Sequence, residues 1–121
     1  MERSMNMGID VRFRGRSGKA WDFKRVPLDA PWARTAGVAL FAAPDTYGWR
    51  IIRTIELSGK PNDIQPIWAL ADAERYGARA VFLATEFDAR TRRLMVDDIE
   101  AGFSPVCMSD RSRAEDAPIA A

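Results

Sequence analysis

Two short apolar runs constrain the fold of this 121-residue chain more than any other feature. Residues 37–43 read GVALFAA and residues 80–84 read AVFLA, so neither run alternates between apolar and polar positions. Runs of this length that are apolar on both faces are typical of central strands. The sequence around them therefore has to supply further strands and the helices that cover the sheet.

An alternating segment precedes the first run and predicts a β-hairpin. In residues 9–16, Val11 and Phe13 lie on one face and three arginines on the other. After a turn at residues 17–19, residues 20–26 return with Trp21 and Phe23 on a common face. A period of two on both sides of a short turn indicates two half-buried strands.

Residues 49–57 predict a second core strand, after a turn at residues 44–48. Strict alternation would place Arg53 in the same row as four apolar side chains. That arrangement suggests a twist, a bulge or a covered pocket, and all three readings stay open. The four apolar residues of the row are Trp49, Ile51, Ile55 and Leu57.

Two helices are expected beside these strands. Asn62 or Asp63 is the predicted cap of the first helix, with Pro66 in its first turn and Gly77 as its left-handed stop. Its residues at helical spacing are Ile64, Trp68, Ala71 and Arg75. Asp88 is the predicted cap of the second helix, whose inward stripe is Met95, Val96, Ile99 and Phe103 and whose end is marked by Gly102 and Pro105.

These elements predict an α+β fold: an N-terminal β-hairpin followed by a ββαβα core, with a small central sheet flanked by helices. The expected organisation is a flexible N-terminus at residues 1–8, a single domain at 9–108 and a disordered tail at 109–121. No apolar run approaches the roughly 20 residues of a membrane helix, so we expect no membrane partner. A single cysteine, Cys107, and no secretory signal predict a cytoplasmic location.

The chain contains no histidine, which removes the commonest general base and the commonest metal ligand. A serine triad, a Cys-His pair and a typical zinc site are therefore excluded. The net charge of +1 provides no global attraction to nucleic acid. Only a local basic patch could bind phosphate.

Small and apolar residues in a fixed order resemble the GIY-YIG nuclease-like superfamily, and small bacterial proteins within it most closely. The resemblance covers about residues 12–108. The matching residues are Gly18 and Lys19 in the hairpin, Gly37, Val38, Leu40 and Phe41 in the first core strand, Ser58 and Gly59 after the second, Tyr76, Gly77 and Ala78 after the first helix, and Arg92, Asp98, Ile99, Pro105, Val106 and Cys107.

The resemblance implies a nuclease site whose reactive side chains are missing here. In the family a tyrosine helps to activate water, an arginine stabilises the transition state and a glutamate holds one divalent cation. The two tyrosines of the family pattern fall on Ala39 and Thr54, the glycine that follows the second tyrosine falls on Glu56, and the glutamate falls on Val96. The arginine of the family's first helix has no counterpart, because no basic residue lies between positions 61 and 74. Valine cannot ligate a hard cation, so we expect no catalysis and no metal or other cofactor.

Three acidic residues near these positions remain candidates for a divergent metal site. Glu56 is either a relocated ligand or an exposed strand carboxylate, and the second reading is favoured because charges prefer water. Asp97 and Asp98 flank Val96. Adjacent helix residues point about 100° apart, which favours a solvated helix face for both.

Two groups of basic residues are the candidates for binding nucleic acid or a partner. The first group, on the hairpin, suits phosphate contacts and a charge-protected edge strand equally well. It consists of Arg12, Arg14, Arg16 and Lys19. The second group, Arg90, Arg92 and Arg93, opposes the helix dipole, which can indicate a site for an anion or an acidic partner. Outward side chains in i,i+4 pairs, such as Arg93 with Asp97, are the favoured reading.

The leading hypothesis from the sequence is a catalytically inactive GIY-YIG-like binding module with a protein partner or the role of an accessory subunit. The alternatives are a non-specific nucleic-acid-binding protein and a divergent metal-dependent nuclease that uses Glu56 or Asp97. The oligomeric state stays open.

Overall fold

The computed structural model describes residues 10–105 of the chain. It contains five strands, β1 (Asp10–Arg14), β2 (Ala20–Val26), β3 (Ala36–Asp45), β4 (Gly48–Ser58) and β5 (Ala80–Thr85), and two helices, α1 (Gln65–Glu74) and α2 (Ala89–Phe103). One 3₁₀ turn, Trp32–Arg34, precedes β3. The predictions for residues 1–8, for Val106 and Cys107 and for the tail at 109–121 lie outside the described residues.

The five strands form one antiparallel sheet in the order β1-β2-β5-β3-β4. Two hairpins, β1–β2 and β3–β4, are joined by β5, which lies between them and hydrogen-bonds to β2 and β3. The predicted α+β class, with a hairpin followed by a ββαβα core, is confirmed. The two apolar runs of the sequence are β5 and most of β3, two of the three strands that have neighbours on both sides.

Each face of the sheet is covered by one helix, which divides the core in two. Val38, Leu40 and Ala42 of β3 point towards α2, and they pack with Phe13 and Phe82. The α2-side core also uses the predicted stripe of that helix, because Met95, Val96 and Ile99 are buried and Phe103 is half-buried. Ala39, Phe41 and Ala43 of β3 point towards α1. They belong to a second core cluster, which includes Trp32, Ile52, Leu57, Ala69 and Leu70.

A β-bulge in β4 explains the arginine in its apolar row. Phe41 pairs with Arg53 but Ala42 pairs with Ile51, so Ile52 is an extra residue on β4. The predicted single row of side chains is therefore wrong. Trp49 and Ile51 pack on the α2 side, whereas Ile52, Ile55 and Leu57 pack on the α1 side.

The start of α1 differs from the prediction, whereas both ends of α2 agree with it. Ile64 occupies the cap position of α1, although the Asp63 carboxylate accepts a hydrogen bond from the Gln65 N–H at 3.1 Å. Asp88 caps α2 as predicted and accepts from the Thr91 N–H at 2.9 Å. The end of α2 falls within the predicted Gly102–Pro105 segment, because the helix runs to Phe103 and its C-cap, Ser104, has a φ of +50°.

Candidate functional site

A groove of about 450 Å³ runs beside β4, the strand at one edge of the sheet. Ile55 and Glu56 of β4 contribute to it from opposite faces of the strand, because alternate residues point to opposite sides. Trp68 lines it from α1 and Val96 from α2. The groove therefore passes along the open edge of the sheet between the two helices, and we call it the β4 groove.

Ion pairs hold the charged walls of the β4 groove. Arg53 donates from Nη1 to Asp72 Oδ2 at 3.3 Å, which ties β4 to α1. Arg92 donates from Nε to Glu56 Oε2 at 3.1 Å, which ties α2 to β4. The Arg53 and Arg92 side chains are only 14% and 12% exposed, so both guanidinium groups are surrounded mainly by protein rather than by water.

Arg92 also closes the turn that leads into α2. Its Nη1 donates to the carbonyl oxygens of Glu86 and Phe87 at 3.1 and 3.0 Å. The three arginines at the start of α2 therefore do not form one cluster. Arg92 is directed into the protein, whereas Arg90 and Arg93 are exposed.

A buried polar pair lies on the α2 side of β4. The Thr54 hydroxyl donates to Glu100 Oε2 at 2.5 Å, and the two residues are 0% and 3% exposed. Sequence patterning did not identify Glu100, since a glutamate near the end of a helix ordinarily faces water. The signal that could have found it is its position four residues after Val96, on the inward stripe of α2.

The four positions taken from the resemblance are not brought together in one site. Ala39 is fully buried and faces α1, whereas Thr54 faces α2 across the sheet. Glu56 and Val96 both line the β4 groove. Side chains placed at positions 39 and 54 of this structure would therefore lie on opposite faces of the sheet.

Glu56 is neither an exposed carboxylate nor a member of an acidic cluster. It is half-buried and bonded to Arg92, so a metal ion would compete with the arginine for this carboxylate. Among residues 10–105, no group of three or more histidine, cysteine, aspartate or glutamate side chains could hold a metal ion. Asp97 is exposed on α2.

The basic residues of the hairpin lie among acidic neighbours and turn carbonyls. Arg12 donates to Asp22 Oδ1 at 3.0 Å, and Lys24 lies 4.0 Å from Asp10 across the same pair of strands. Arg14 donates to the carbonyl oxygen of Gly18. The strand row thus alternates in sign, and its exposed side borders a second concave surface of about 750 Å³.

Two further basic residues lie in the hairpin turn and are exposed. Arg16 follows the end of β1 and donates its backbone N–H to the Asp98 carbonyl at 3.1 Å. The Lys19 ammonium lies 4.3 Å from the centre of the Trp21 ring, within the range of a cation–π contact. Among residues 10–105, Arg14, Arg16 and Lys19 form no salt bridge, although the charge of Lys19 contributes to the lowered pKa of Asp98.

Asp98 anchors this turn to α2, a role that sequence reasoning missed. Its carboxylate accepts from the Ser17 N–H and hydroxyl at 2.8 Å and from Trp21 Nε1 at 2.9 Å. Burial by itself would raise the pKa of Asp98, but the hydrogen bonds from Trp21 and Ser17 outweigh it and hold the pKa below the ordinary 3.8. The Asp98 carboxylate is therefore a fixed part of the fold rather than a solvated charge.

Three of the four tryptophans contribute to the core or its margins. Trp32 is buried and donates to the Leu28 carbonyl at 3.1 Å. Trp21 and Trp49 are half-buried, the latter packed against Phe82 with ring centres 5.2 Å apart. Trp68 differs because 67% of it is exposed at the rim of the β4 groove.

Comparison of this chain with protein-family models, curated proteins and solved structures gives no match.

The glycines that carry part of the family resemblance are required by local geometry. A Cβ on Gly37 would lie 2.0 Å from the Ala84 carbonyl oxygen, and Gly18 and Gly77 have φ angles of +92° and +101°. Among the described residues, no helix is long and apolar enough to cross a membrane.

Proposed function

We propose that this chain is a catalytically inactive, GIY-YIG-like binding module of the cytoplasm that takes an extended segment of a partner protein into the β4 groove. The observation that carries the proposal is the position of the groove along an open strand edge, between two helices. An edge strand presents backbone N–H and C=O groups on its outer side, and extended peptides commonly bind by adding a strand there.

The walls of the groove support recognition of a protein segment. Trp68, Pro66 and Ile55 supply apolar surface, and Asp63 and Gln65 supply polar groups at the rim. Half of the lining residues are apolar and half are polar or charged, and concave surfaces that combine apolar walls with placed polar groups are typical binding sites. The tryptophan is suited to an anchoring contact, since aromatic residues are enriched where protein interfaces are strongest.

The distribution of arginines gives less support to nucleic acid as the partner of this groove. Arg53 and Arg92 are bonded to carboxylates, and a phosphate would have to displace Asp72 or Glu56. The second candidate function is non-specific nucleic-acid binding elsewhere, through Arg14, Arg16 and Lys19 of the hairpin turn. The observation that favours it is that these three cations are exposed around one rigid turn.

The proposal is tested by capturing partners on the tagged full-length chain, with and without nuclease treatment. Gln65→Trp places bulk in the groove while keeping the backbone N–H that bonds to Asp63. We expect it to abolish capture of a protein that Gln65→Ala still retains. Capture that survives Gln65→Trp would remove the groove from the proposal.

Two other outcomes would replace the proposal itself. Capture that disappears after nuclease treatment, falls steeply with salt and is lost in Arg16→Ala or Lys19→Ala would establish the second candidate. Magnesium- or manganese-dependent cleavage of DNA by the pure protein, lost in Glu56→Ala, would show that the chain is an active nuclease.

A further inference from the structure

Helix α1 is apolar on almost its whole circumference. Its sequence is QPIWALADAE, and its buried face consists of Pro66, Ala69, Leu70 and Ala73. A helix with one face on a core ordinarily carries polar residues on the opposite face. Gln65, Asp72 and Glu74 are the polar residues of α1, so most of its solvent-facing surface is apolar as well.

The side of α1 opposite the core carries the residues that the sequence shows at helical spacing. Ile64, Ile67 and Trp68 are 54%, 52% and 67% exposed, and Ala71 is also exposed. Residues at these spacings form a continuous stripe on one side of a helix. We call this stripe the outer face of α1. Contiguous apolar surface of this kind marks a contact with another molecule.

We propose that the outer face of α1 is covered by the outer face of α1 from a second copy of the chain, with the two helices packed antiparallel about a two-fold axis. Such an interface uses the same patch twice and must be complementary to itself. The inference does not rest on the protein partner proposed for the β4 groove, but the two contacts compete, because Trp68 and Asp63 also line that groove.

The charges at the two ends of the outer face are complementary in this arrangement. Asp63 lies at its start and accepts from two neutral donors, the Ser58 hydroxyl and the Gln65 N–H, each at 3.1 Å. Arg75 lies at its end with 80% of its side chain exposed, 3.8 Å from Asp72. Antiparallel packing places Arg75 of each copy beside Asp63 of the other, twice in one dimer.

The sizes of the side chains are also complementary. An axis through the middle of α1 places Trp68 of one copy at the level of Ala71 of the other, so a large side chain meets a small one on both sides of the axis. This relation permits close helix packing, at the usual 8–10 Å between axes. Antiparallel alignment also places the positive end of each helix dipole beside the negative end of the other.

The proposed interface is small, because a ten-residue helix is only about 15 Å long. Interfaces of limited area typically belong to weak complexes. We therefore expect a reversible dimer that forms in the micromolar range. A helix pair of this size leaves the hairpin and most of α2 free.

The test is sedimentation equilibrium of the full-length chain from about 1 to 500 μM, a range that spans dimers of moderate to weak affinity. We expect the mass to rise from the 13.5 kDa of one chain towards twice that value. Trp68→Glu and Ala71→Arg should each weaken the dimer at least tenfold. Tyr47→Glu, at a turn residue that is 98% exposed, is the matched control and should leave it unchanged.

A charge variant tests the antiparallel pairing separately from the apolar contact. Arg75→Glu should weaken the dimer about threefold or more, since two exposed ion pairs become repulsive contacts. Adding Asp63→Asn should restore part of the lost affinity, because it removes the repulsion and retains an oxygen for the Gln65 N–H.

Three results would overturn the proposal. The first is a single-chain mass at every concentration, and the second is a dimer unaffected by both Trp68→Glu and Ala71→Arg. The third is a dimer that Arg75→Glu weakens without rescue by Asp63→Asn. Circular dichroism of each variant checks that the fold is retained, and Ala71→Arg serves where Trp68→Glu fails to fold.

Discussion

Two arginine–carboxylate pairs at opposite ends of the sheet have nearly the same length and different surroundings. Arg12 and Asp22, on the hairpin, are 3.0 Å apart with side chains 77% and 73% exposed. Arg92 and Glu56, beside the β4 groove, are 3.1 Å apart with side chains 12% and 31% exposed. The comparison shows that the distance between two charged groups does not determine how much the pair stabilises the fold. Water screens the first pair, whereas protein surrounds most of the second.

The largest expected effect on stability comes from removing the less exposed pair, Arg92 with Glu56. Arg92→Met should destabilise the fold by about 2 to 3 kcal/mol, because Glu56 and two carbonyl groups lose their donor in a water-poor site. Arg12→Met, the matched change on the hairpin, should stay within about 0.5 kcal/mol. Urea unfolding followed by circular dichroism measures both, and equal losses would refute the distinction.

The second expected effect concerns Thr54, whose neutral hydroxyl donates to Glu100 of α2, the helix that also carries Arg92. Thr54→Val keeps the shape of the side chain but removes the hydroxyl that bonds to Glu100, and it should cost about 1 to 3 kcal/mol. Thr54→Ser retains the hydroxyl and should cost less than Thr54→Val. The order of the two unfolding free energies is the measurement, and the reverse order would show that packing at position 54 matters more than its hydrogen bond.

The smallest expected effect is a pH dependence at the hairpin end of α2. Because the pKa of Asp98 is lowered in the folded state, its ionised form stabilises the fold fully above the ordinary value of 3.8. That contribution is lost as the pH falls through the lower folded value. The stability difference between the natural chain and Asp98→Asn should therefore be larger at pH 6 than at pH 3, as measured by urea unfolding at both pH values.

A constant difference between the two pH values would mean that Asp98 holds the turn through its shape rather than its charge. Gly15→Ala provides a separate check on the same junction. A Cβ at position 15 would lie 2.1 Å from an Asp98 carboxylate oxygen, so it should disturb the turn at either pH.

The strands and helices could be predicted because each rests on a local pattern. The alternation around Val11 and the continuous apolar run that became β5 are both visible in the chain itself. A bulge was one of three readings of Arg53, but the sequence could not choose it or place it at Ile52, since an extra residue is defined only against the partner strand. It redirected Arg53 to the α1 side, which strict alternation had placed beside Ile51.

The site was less predictable than the fold because its contacts join residues far apart in the chain. Arg92 and Glu56 are 36 positions apart, and Asp98 and Ser17 are 81 apart. A charged residue looks the same in the sequence whether it faces water or a partner. The outer face of α1 is also hard to recognise in the sequence, because the spacing of its apolar residues is the same as that of a buried helix face.

The position of β5 within the sheet has a consequence for how the chain assembles. Each hairpin consists of neighbouring strands and can form from local contacts, but neither pairs with the other except through Ala80–Thr85. Contacts between distant parts of a chain form more slowly than local ones. During synthesis the two hairpins therefore emerge as separate halves, and these five strands can join in one sheet only after β5 has left the ribosome.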